Sequence, residues 1–143
     1  KFPSFVEKRK ENFARLHKGL ESLQDKLVLP EPIENGNPSW FGFLITCKEG
    51  TDRTELVKKI EAANIQTRAL FAGNITRHPC FDQIRGSGAY RVIGDLAVTD
   101  RIMRDAFWIG VYPGMTDEKI DYIFTSFGSI VSEVPFSSLI PIR

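Results

Sequence analysis

The chain has 143 residues, of which 42% are hydrophobic and 26% are charged, so it has the composition of one globular domain and not of a disordered segment. Its 19 basic and 18 acidic residues give a net charge of +1, which excludes a general attraction for nucleic acid or an anionic membrane. Two cysteines cannot form a disulfide framework, and no apolar run approaches the ~20 residues of a membrane span. We therefore expect a cytoplasmic protein with no membrane or nucleic-acid partner.

The first predicted element is an amphipathic helix over residues 4–28. Its apolar stripe repeats at intervals of three and four residues and consists of Phe13, Leu16, Leu20, Leu23 and Leu27. The helix would be roughly 37 Å long, which is more than a domain of this size needs to cover its own core. Two interpretations stay open: the helix packs on its own sheet, or one end of it lies on a domain or subunit outside this chain. Because the chain opens at Lys1 without an initiator Met, we expect a fragment of a longer polypeptide.

A Pro-rich linker over residues 29–39 ends this helix, so we divide the chain into a helix-and-linker segment (1–39) and a small α/β domain (40–143). The domain begins with an apolar strand over residues 40–47. A helix over residues 52–64 follows, with Asp52 and Glu55 in the positions of a capping box.

The remaining predicted elements alternate between strands and helices. They are a strand at 65–71, a polar loop with a tight turn at Gly86, Ser87 and Gly88, a helix at 98–107 started by Thr99, a strand at 108–112, a helix capped by Thr116 and running to about Ser132, and an extended tail after Pro135. This order predicts an α/β sandwich with about three strands and helices on one face.

The sequence has no motif of the common self-contained enzymes. A Gly-x-Ser-x-Gly elbow, a His-Glu-x-x-His pair, a Walker loop and a spaced His and Cys set are all missing. We expect Cys47 and Cys80 to be small buried apolar residues, His17 to be a surface histidine, and residues 7–11 to be a solvated helix face.

The loop LFAGNITRHPCF (70–81) is the first candidate binding element. Its glycine and asparagine tolerate positive φ, and its donors suit phosphate, carboxylate or sugar hydroxyls. The residues that would bind are Asn74, Thr76, Arg77 and His78. The alternative is a structural loop in which Asn74 and Thr76 satisfy their own backbone and Arg77 pairs with a nearby Asp.

Residues Thr99, Asp100 and Arg101 form the second candidate, because free amide groups at a helix start favour an anion. Arg101 would either bind that anion or pair with Asp105, four residues further on. The sequence alone leaves both interpretations open.

Four segments, taken together, resemble the C-terminal region of the DegT-type sugar aminotransferase family. They are WFGFLIT (40–46), TRALFAGNITRHPCF (67–81), YRVIGD (90–95) and TDRIMRDAFWIGVYPG (99–114). The branch that they resemble is the CDP-4-keto-6-deoxyglucose 3-dehydrase of lipopolysaccharide O-antigen synthesis. The resemblance covers most of residues 40–130.

The resemblance implies the small C-terminal domain of a fold-type-I enzyme dependent on pyridoxal phosphate (PLP). In that family a large N-terminal domain, missing here, holds the cofactor, and the small domain closes over a nucleotide-sugar substrate in a homodimer. The dehydrase branch uses pyridoxamine phosphate (PMP), a His in place of the Schiff-base Lys, a [2Fe-2S] cluster and a flavin reductase partner. Cys47 and Cys80 do not match the cluster motif, and a sugar aminotransferase stays open because the deciding Lys or His lies upstream.

The family pattern implies substrate-contacting residues but no catalytic or metal-binding residue in this fragment. Arg101 carries over as the substrate-contacting cation, and Asn74, Thr76 and Arg77 as the loop facing the sugar nucleotide. Phe41 carries over as an aromatic residue at the cleft wall, and His78 stands where many relatives have Gln. The Gly86–Gly88 turn resembles an insertion.

A stand-alone ferredoxin-like binding module is the hypothesis from another class. It would bind single-stranded RNA through exposed aromatic side chains, namely Trp40, Phe41, Phe43, Trp108 and Tyr112. The near-neutral charge and the apolar strands oppose it.

Overall fold

The computed structural model describes residues 2–134. Its elements are α1 (Phe2–Leu20), β1 (Leu27–Val28), β2 (Gly42–Cys47), α2 (Arg53–Ala62), β3 (Thr67–Ala69), α3 (Ala97–Asp105), β4 (Ala106–Gly110) and α4 (Asp117–Glu133). Short 3₁₀ turns lie at Glu21–Leu23, Ile75–Arg77 and Pro79–Phe81. The extended tail that we predicted after Pro135 lies outside the described residues.

The four strands form one antiparallel sheet in the order β1-β2-β4-β3. The central pair aligns Phe43 of β2 with Ile109 of β4, and Ile109 also faces Thr67 of β3. The predicted α/β domain is confirmed, with four strands among the described residues where the sequence predicted about three.

The additional strand, β1, occupies a segment that the sequence analysis assigned to the first helix. The helix ends at Leu20, and turns closed by backbone bonds from Gln24 to Glu21 and from Lys26 to Leu23 redirect the chain. Leu27 is fully buried, but it pairs with Cys47 in the sheet. The prediction of a helix to residue 28 was wrong because a buried strand residue continued the three-and-four spacing of the helix by coincidence.

Helix α1 packs on its own domain through its C-terminal half. Leu16 and Leu20 are fully buried, and α1 lies against α4. Phe2 and Phe5, at the other end, are exposed. Phe13 of α1 also meets Phe43 of β2 at a ring distance of 4.9 Å, so the interpretation that the helix packs on its own sheet holds for the C-terminal half.

The core lies between one face of the sheet and the helices α1, α2 and α4. Its fully buried large side chains include Phe43, Ile45, Phe107, Leu56, Ile60, Ile120 and Phe127. Cys47 belongs to this core as predicted, and its burial raises the pKa of the thiol to about 12. Cys80 is exposed, so its predicted burial was wrong; it lies in the polar loop, away from the sheet.

Two of the three predicted helix starts are confirmed. The Asp52 carboxylate accepts bonds from the amides of Thr54 and Glu55 at 2.8 and 3.1 Å, and Thr116 Oγ1 accepts from the Lys119 amide at 3.4 Å. Thr99 is not a cap. Helix α3 begins at Ala97 instead, because Leu96 turns the backbone with a φ of 56°.

The α1 surface differs from its prediction at His17. The imidazole is partly buried, and its Nε2 lies 2.7 Å from Glu31 Oε1, so it joins α1 to the linker and is not a free surface group. The predicted solvated face at 7–11 is confirmed only in part: Glu7 and Glu11 are exposed and pair with the half-buried Lys10 and Lys8, whereas the Nε of Arg9 is buried. No helix within residues 2–134 is long and apolar enough to cross a bilayer.

Candidate functional site

The polar loop at 70–81 packs on α3. Gly73 has a φ of +59°, and a Cβ at this position would lie 2.4 Å from Met103 Cγ, so both the backbone and the contact require glycine. The Asn74 amide donates to the sulfur of Met103 at 3.3 Å. The loop therefore has one defined position against the helix.

The Asp100 carboxylate, on α3, is the centre of the polar contacts of this loop. Asn74 Nδ2 donates to its Oδ1 at 2.6 Å, and Arg77 donates from Nη2 to Oδ2 at 2.7 Å and from Nε to Oδ1 at 3.4 Å. The hydrogen bonds from Arg77 and then from Asn74 lower the pKa of Asp100, and the bond to Asp100 raises the pKa of Arg77. The anion that Arg77 holds here is thus a residue of the same domain.

Asn74 also closes the turn that follows it. Its side chain is 3% exposed, and its Oδ1 accepts bonds from the Thr76 amide at 3.1 Å and from Thr76 Oγ1 at 2.7 Å. Together with the Arg77–Asp100 pair, this is the arrangement of the structural-loop alternative. In this arrangement the bonds between Asn74 and Thr76 fix the conformation of the loop.

The other polar side chains of this segment also have internal partners. His78 Nε2 lies 2.6 Å from the carbonyl oxygen of Ala72. Arg85 donates to the carbonyl oxygen of Thr76 and, at 2.6 Å, to Asp82 Oδ1. The sequence analysis missed Arg85, which holds the end of the loop.

Arg101 differs from these residues. It is exposed on α3, and within residues 2–134 no hydrogen bond or ion pair joins its guanidinium to another side chain. Asp105, its possible partner, is instead held by Arg104 through two bonds of 2.8 Å. Of the two interpretations left open for Arg101, pairing with Asp105 is therefore not the one that this structure shows, and the guanidinium stays available to a ligand.

An open cleft of about 360 Å³ lies beside the start of the loop. Phe41, on its wall, is 60% exposed and meets Trp108 edge to face at a ring distance of 5.5 Å. Phe71, which is 80% exposed, has a φ of 47°. The remaining lining residues are Pro30, Glu31, Trp40, Gly42, Leu44 and Leu70.

The structure thus divides the predicted site residues between two neighbouring surfaces. Phe41 lines the aromatic cleft, whereas Arg101 and the loop residues Asn74, Thr76, Arg77 and His78 do not. Residues 70 and 71 of the loop reach the cleft. Phe71 was missed as a site residue. Asp100 stood in the second candidate cluster, but its contact with Asn74 was not predicted, because it spans 26 residues and leaves no local pattern.

The aromatic set of the RNA-binding hypothesis does not share one exposed surface. Phe43 is fully buried in the core, and Trp40 packs on Phe13 with a ring distance of 4.8 Å. Base stacking on several strands needs exposed rings on a common face. This arrangement argues against an RNA-binding sheet.

The described residues do not fit the cofactors that the resemblance implies. The buried polar side chains are those of Asn12, Thr67 and Asn74, so residues 2–134 supply no buried lysine or histidine that could hold the ring of PLP or PMP. The same part of the chain has no group of three or more His, Cys, Asp or Glu residues that could hold a metal ion. We therefore derive no cofactor chemistry from these residues.

Curated relatives match most of this chain. It is 53% identical over 125 residues to the lipopolysaccharide biosynthesis protein RfbH of Salmonella typhimurium, covering 86% of this chain and 28% of the relative. It is 44% identical over 135 residues to the dTDP-4-dehydro-2,6-dideoxy-D-glucose 3-dehydratase of Saccharopolyspora spinosa, covering 93% of this chain and 28% of that relative. The chain spans less than a third of the length of these relatives.

Solved structures share the fold. The E. coli GDP-4-keto-6-deoxy-D-mannose-3-dehydratase with bound hydrated PLP superposes with a TM-score of 0.75 at 22% identity, over 89% of this chain and 32% of that one. An aminotransferase from Psychrobacter cryohalolentis superposes with a TM-score of 0.78 at 14% identity, over 92% of this chain and 35% of that one. The predicted fold, that of the small C-terminal domain of a fold-type-I PLP enzyme, is confirmed.

The family match is longer than the segments that suggested it. The model of the DegT/DnrJ/EryC1/StrS aminotransferase family matches residues 1–128, which include α1 and the linker as well as the sheet, the polar loop and the cleft. The chain therefore belongs to the DegT/DnrJ/EryC1/StrS aminotransferase family.

Proposed function

We propose that this chain is the C-terminal, substrate-closing domain of a PLP- or PMP-dependent enzyme that modifies a nucleotide sugar. Within that class we propose a 3-dehydratase similar to CDP-4-keto-6-deoxyglucose 3-dehydrase, acting in O-antigen or dideoxysugar biosynthesis. The observation that carries this proposal is the identity of 53% and 44%, along most of the chain, to RfbH and to a dTDP-sugar 3-dehydratase. A third relative, at 30% identity, is a GDP-sugar 3-dehydratase of Yersinia pseudotuberculosis.

The cofactor and the catalytic residues belong, in this proposal, to a large N-terminal domain. Two observations support this: the chain spans 28% of each of the two most similar relatives described above, and its buried polar residues do not fit PLP. A PLP-bound structure of one dehydratase with this fold supports the cofactor class. The [2Fe-2S] cluster, the flavin reductase, the homodimer and the cytoplasmic location belong to the proposal through the resemblance alone.

The proposed role of this domain is to face the substrate. Arg101 would contact the diphosphate, because its exposed guanidinium has no partner among the described residues and its geometry suits phosphate oxygens. Phe41 would form an apolar wall of the substrate cleft. Asn74, Thr76, Arg77 and His78 would shape the loop that faces the sugar, since their internal bonds fix its conformation.

The test compares the full-length gene product with the 143-residue chain, each supplied with PMP, a flavin reductase, a reduced nicotinamide as electron donor and a CDP-4-keto-6-deoxy sugar. We expect the full-length protein alone to show a bound-cofactor absorbance band and loss of the sugar 3-hydroxyl. A parallel reaction with PLP and glutamate tests the aminotransferase alternative, the activity that the family description names. Transfer of an amino group without loss of the hydroxyl would decide for that alternative. Absence of cofactor binding by the full-length protein would contradict both.

A further inference from the structure

Asp100 joins the polar loop to α3, and we propose that it is a positioning residue that sets the loop conformation required for substrate binding. This inference rests on the proposed function and adds a residue to it. Asp100 itself need not contact the substrate, because both of its carboxylate oxygens already accept bonds from the loop.

Several groups of the loop depend on this one carboxylate. Asn74 donates to it at 2.6 Å, and Arg77 donates at 2.7 Å. Asn74 in turn holds the amide and hydroxyl of Thr76. Three loop residues are therefore ordered directly or through one intermediate, and bonds to a charged acceptor are stronger than bonds between neutral groups.

The helix that carries Asp100 is held in place by a side chain of another helix. Helix α3 has no buried residues, but its last carbonyls accept bonds from Arg53, from Nε to Arg104 O at 2.9 Å and from Nη2 to Met103 O at 3.4 Å. Arg53 is the first residue of α2, which packs in the core. Arg53 thus fixes the position of α3 relative to the core, and Asp100 fixes the loop relative to α3. The loop itself has little contact with the core.

The loop is connected to the groups proposed to face the substrate. Phe71, at the cleft, lies two residues before Gly73, which is locked against Met103 of the same helix. Arg101 follows Asp100 directly in the chain, and the Asp100 carboxylate pairs with Arg77. Arg77 is therefore held by α3, whereas Arg101 stays available to the substrate. Loss of the carboxylate would remove the charged contacts between the loop and α3, leave the contact of Gly73 with Met103, and change the approach to the cleft.

The test is Asp100→Asn in the full-length enzyme, a change that removes the charge and keeps the shape. We expect amide hydrogen exchange in residues 70–81 to become about tenfold faster, since charged hydrogen bonds to the loop are lost. We expect KM for the nucleotide sugar to rise about tenfold with kcat within about twofold, because the chemistry lies elsewhere. Asp100→Glu, which retains the charge at a different reach, should recover part of the loss in KM.

Two further variants control the experiment. Asp121→Asn makes the same change on α4, in an ion pair of 3.2 Å with Arg15 of α1, and should alter neither exchange in the loop nor KM. Arg77→Met breaks the Asp100 contact from its exposed side and leaves Asn74 in place. It should act in the same direction as Asp100→Asn with a smaller effect, and it decides the matter if Asp100→Asn does not fold.

The outcomes separate this inference from the proposed function. Faster exchange with an unchanged KM would overturn it, because Asp100 would then only stabilise the loop. Unchanged exchange in Asp100→Asn would also overturn it. A wild-type full-length protein without turnover contradicts the proposed function, whereas the exchange measurement needs no turnover and still reports whether Asp100 holds the loop.

Discussion

The Asn12 side chain donates a 2.9 Å hydrogen bond from Nδ2 to the backbone carbonyl of Tyr112, 100 residues further along the chain. Asn12 is fully buried on α1, and Tyr112 lies two residues after β4. The bond therefore ties the first helix to the segment between the sheet and α4. Asn12 Oδ1 has no partner among the described residues, so within residues 2–134 this bond is the one hydrogen bond that reduces the cost of burying the side-chain amide.

We predict that Asn12→Ala lowers the free energy of unfolding by about 1–3 kcal/mol, because the carbonyl loses its donor and a small cavity forms. Urea denaturation followed by circular dichroism measures this change. Asn37→Ala, at an exposed linker position, is the matched control and should stay within about 0.5 kcal/mol of wild type. Equal effects in the two variants would show that the contact with Tyr112 contributes nothing specific.

The two cysteines should react differently with a thiol reagent. Cys80 is exposed, whereas burial raises the pKa of the Cys47 thiol to about 12, so almost none of it is thiolate at pH 8. We predict that the native chain is labelled once and the urea-unfolded chain twice, as read by mass spectrometry, and that native Cys80→Ser is not labelled. Rapid labelling of Cys47 in the folded variant would contradict its place in the core.

The raised pKa of Cys47 also predicts a direction for stability against pH. The folded chain holds the thiol proton more tightly than the unfolded chain, in which the pKa is about 8.5. The contribution of the neutral thiol is therefore present below pH 8.5 and is lost progressively as the pH rises toward 12. We expect Cys47→Ala to lose less stability than wild type between pH 8.5 and 10 in urea titrations. Parallel curves for the two proteins would contradict the shift.

Local patterns predicted the elements whose determinants are local. Alternating burial along β2 follows from the apolar segment that contains Phe43 and Ile45, and the bonds of Asp52 and Thr116 reach amides only two or three residues away. Sequence reasoning failed where the determinant is remote. Leu27 takes its strand conformation from Cys47, which follows it by 20 positions in the printed sequence.

The candidate site shows the same division. The composition of the loop at 70–81 indicated a candidate binding element, and the family resemblance placed Phe41 at a cleft. Neither could show that Arg77 is already paired, because its partner Asp100 lies 23 residues away on another element. Nor could they show that Asp105 pairs with Arg104 and not with Arg101, because both arginines are close enough to Asp105 along the helix to pair with it.

Gly73→Ala tests whether the loop needs its close contact with α3. A Cβ at Gly73 would meet Met103 at 2.4 Å in addition to the strain of a φ of +59°. Gly88→Ala is the matched control, because Gly88 has a φ of +81° and no atom within 4 Å of the added carbon. We predict that Gly88→Ala costs about 1 kcal/mol from backbone strain and that Gly73→Ala costs about 1–3 kcal/mol more from overpacking. Equal losses of unfolding free energy would show that Met103 moves aside freely.

Arg101→Ala in the full-length enzyme tests the proposed substrate-contacting cation. The Arg101 guanidinium is exposed and has no partner within residues 2–134, so its removal leaves no buried charge behind and the fold should be unaffected. Loss of a hydrogen-bonded ion contact with the diphosphate is worth about 1.5–3 kcal/mol, which predicts that kcat/KM falls by about 10- to 100-fold while the absorbance of the bound cofactor stays unchanged. Arg104→Ala, three residues further along the same helix, removes an arginine that is already paired with Asp105 and should change kcat/KM by less than about threefold. If Arg101→Ala keeps wild-type turnover, or if both variants lose activity equally, the unpaired guanidinium does not bind the substrate.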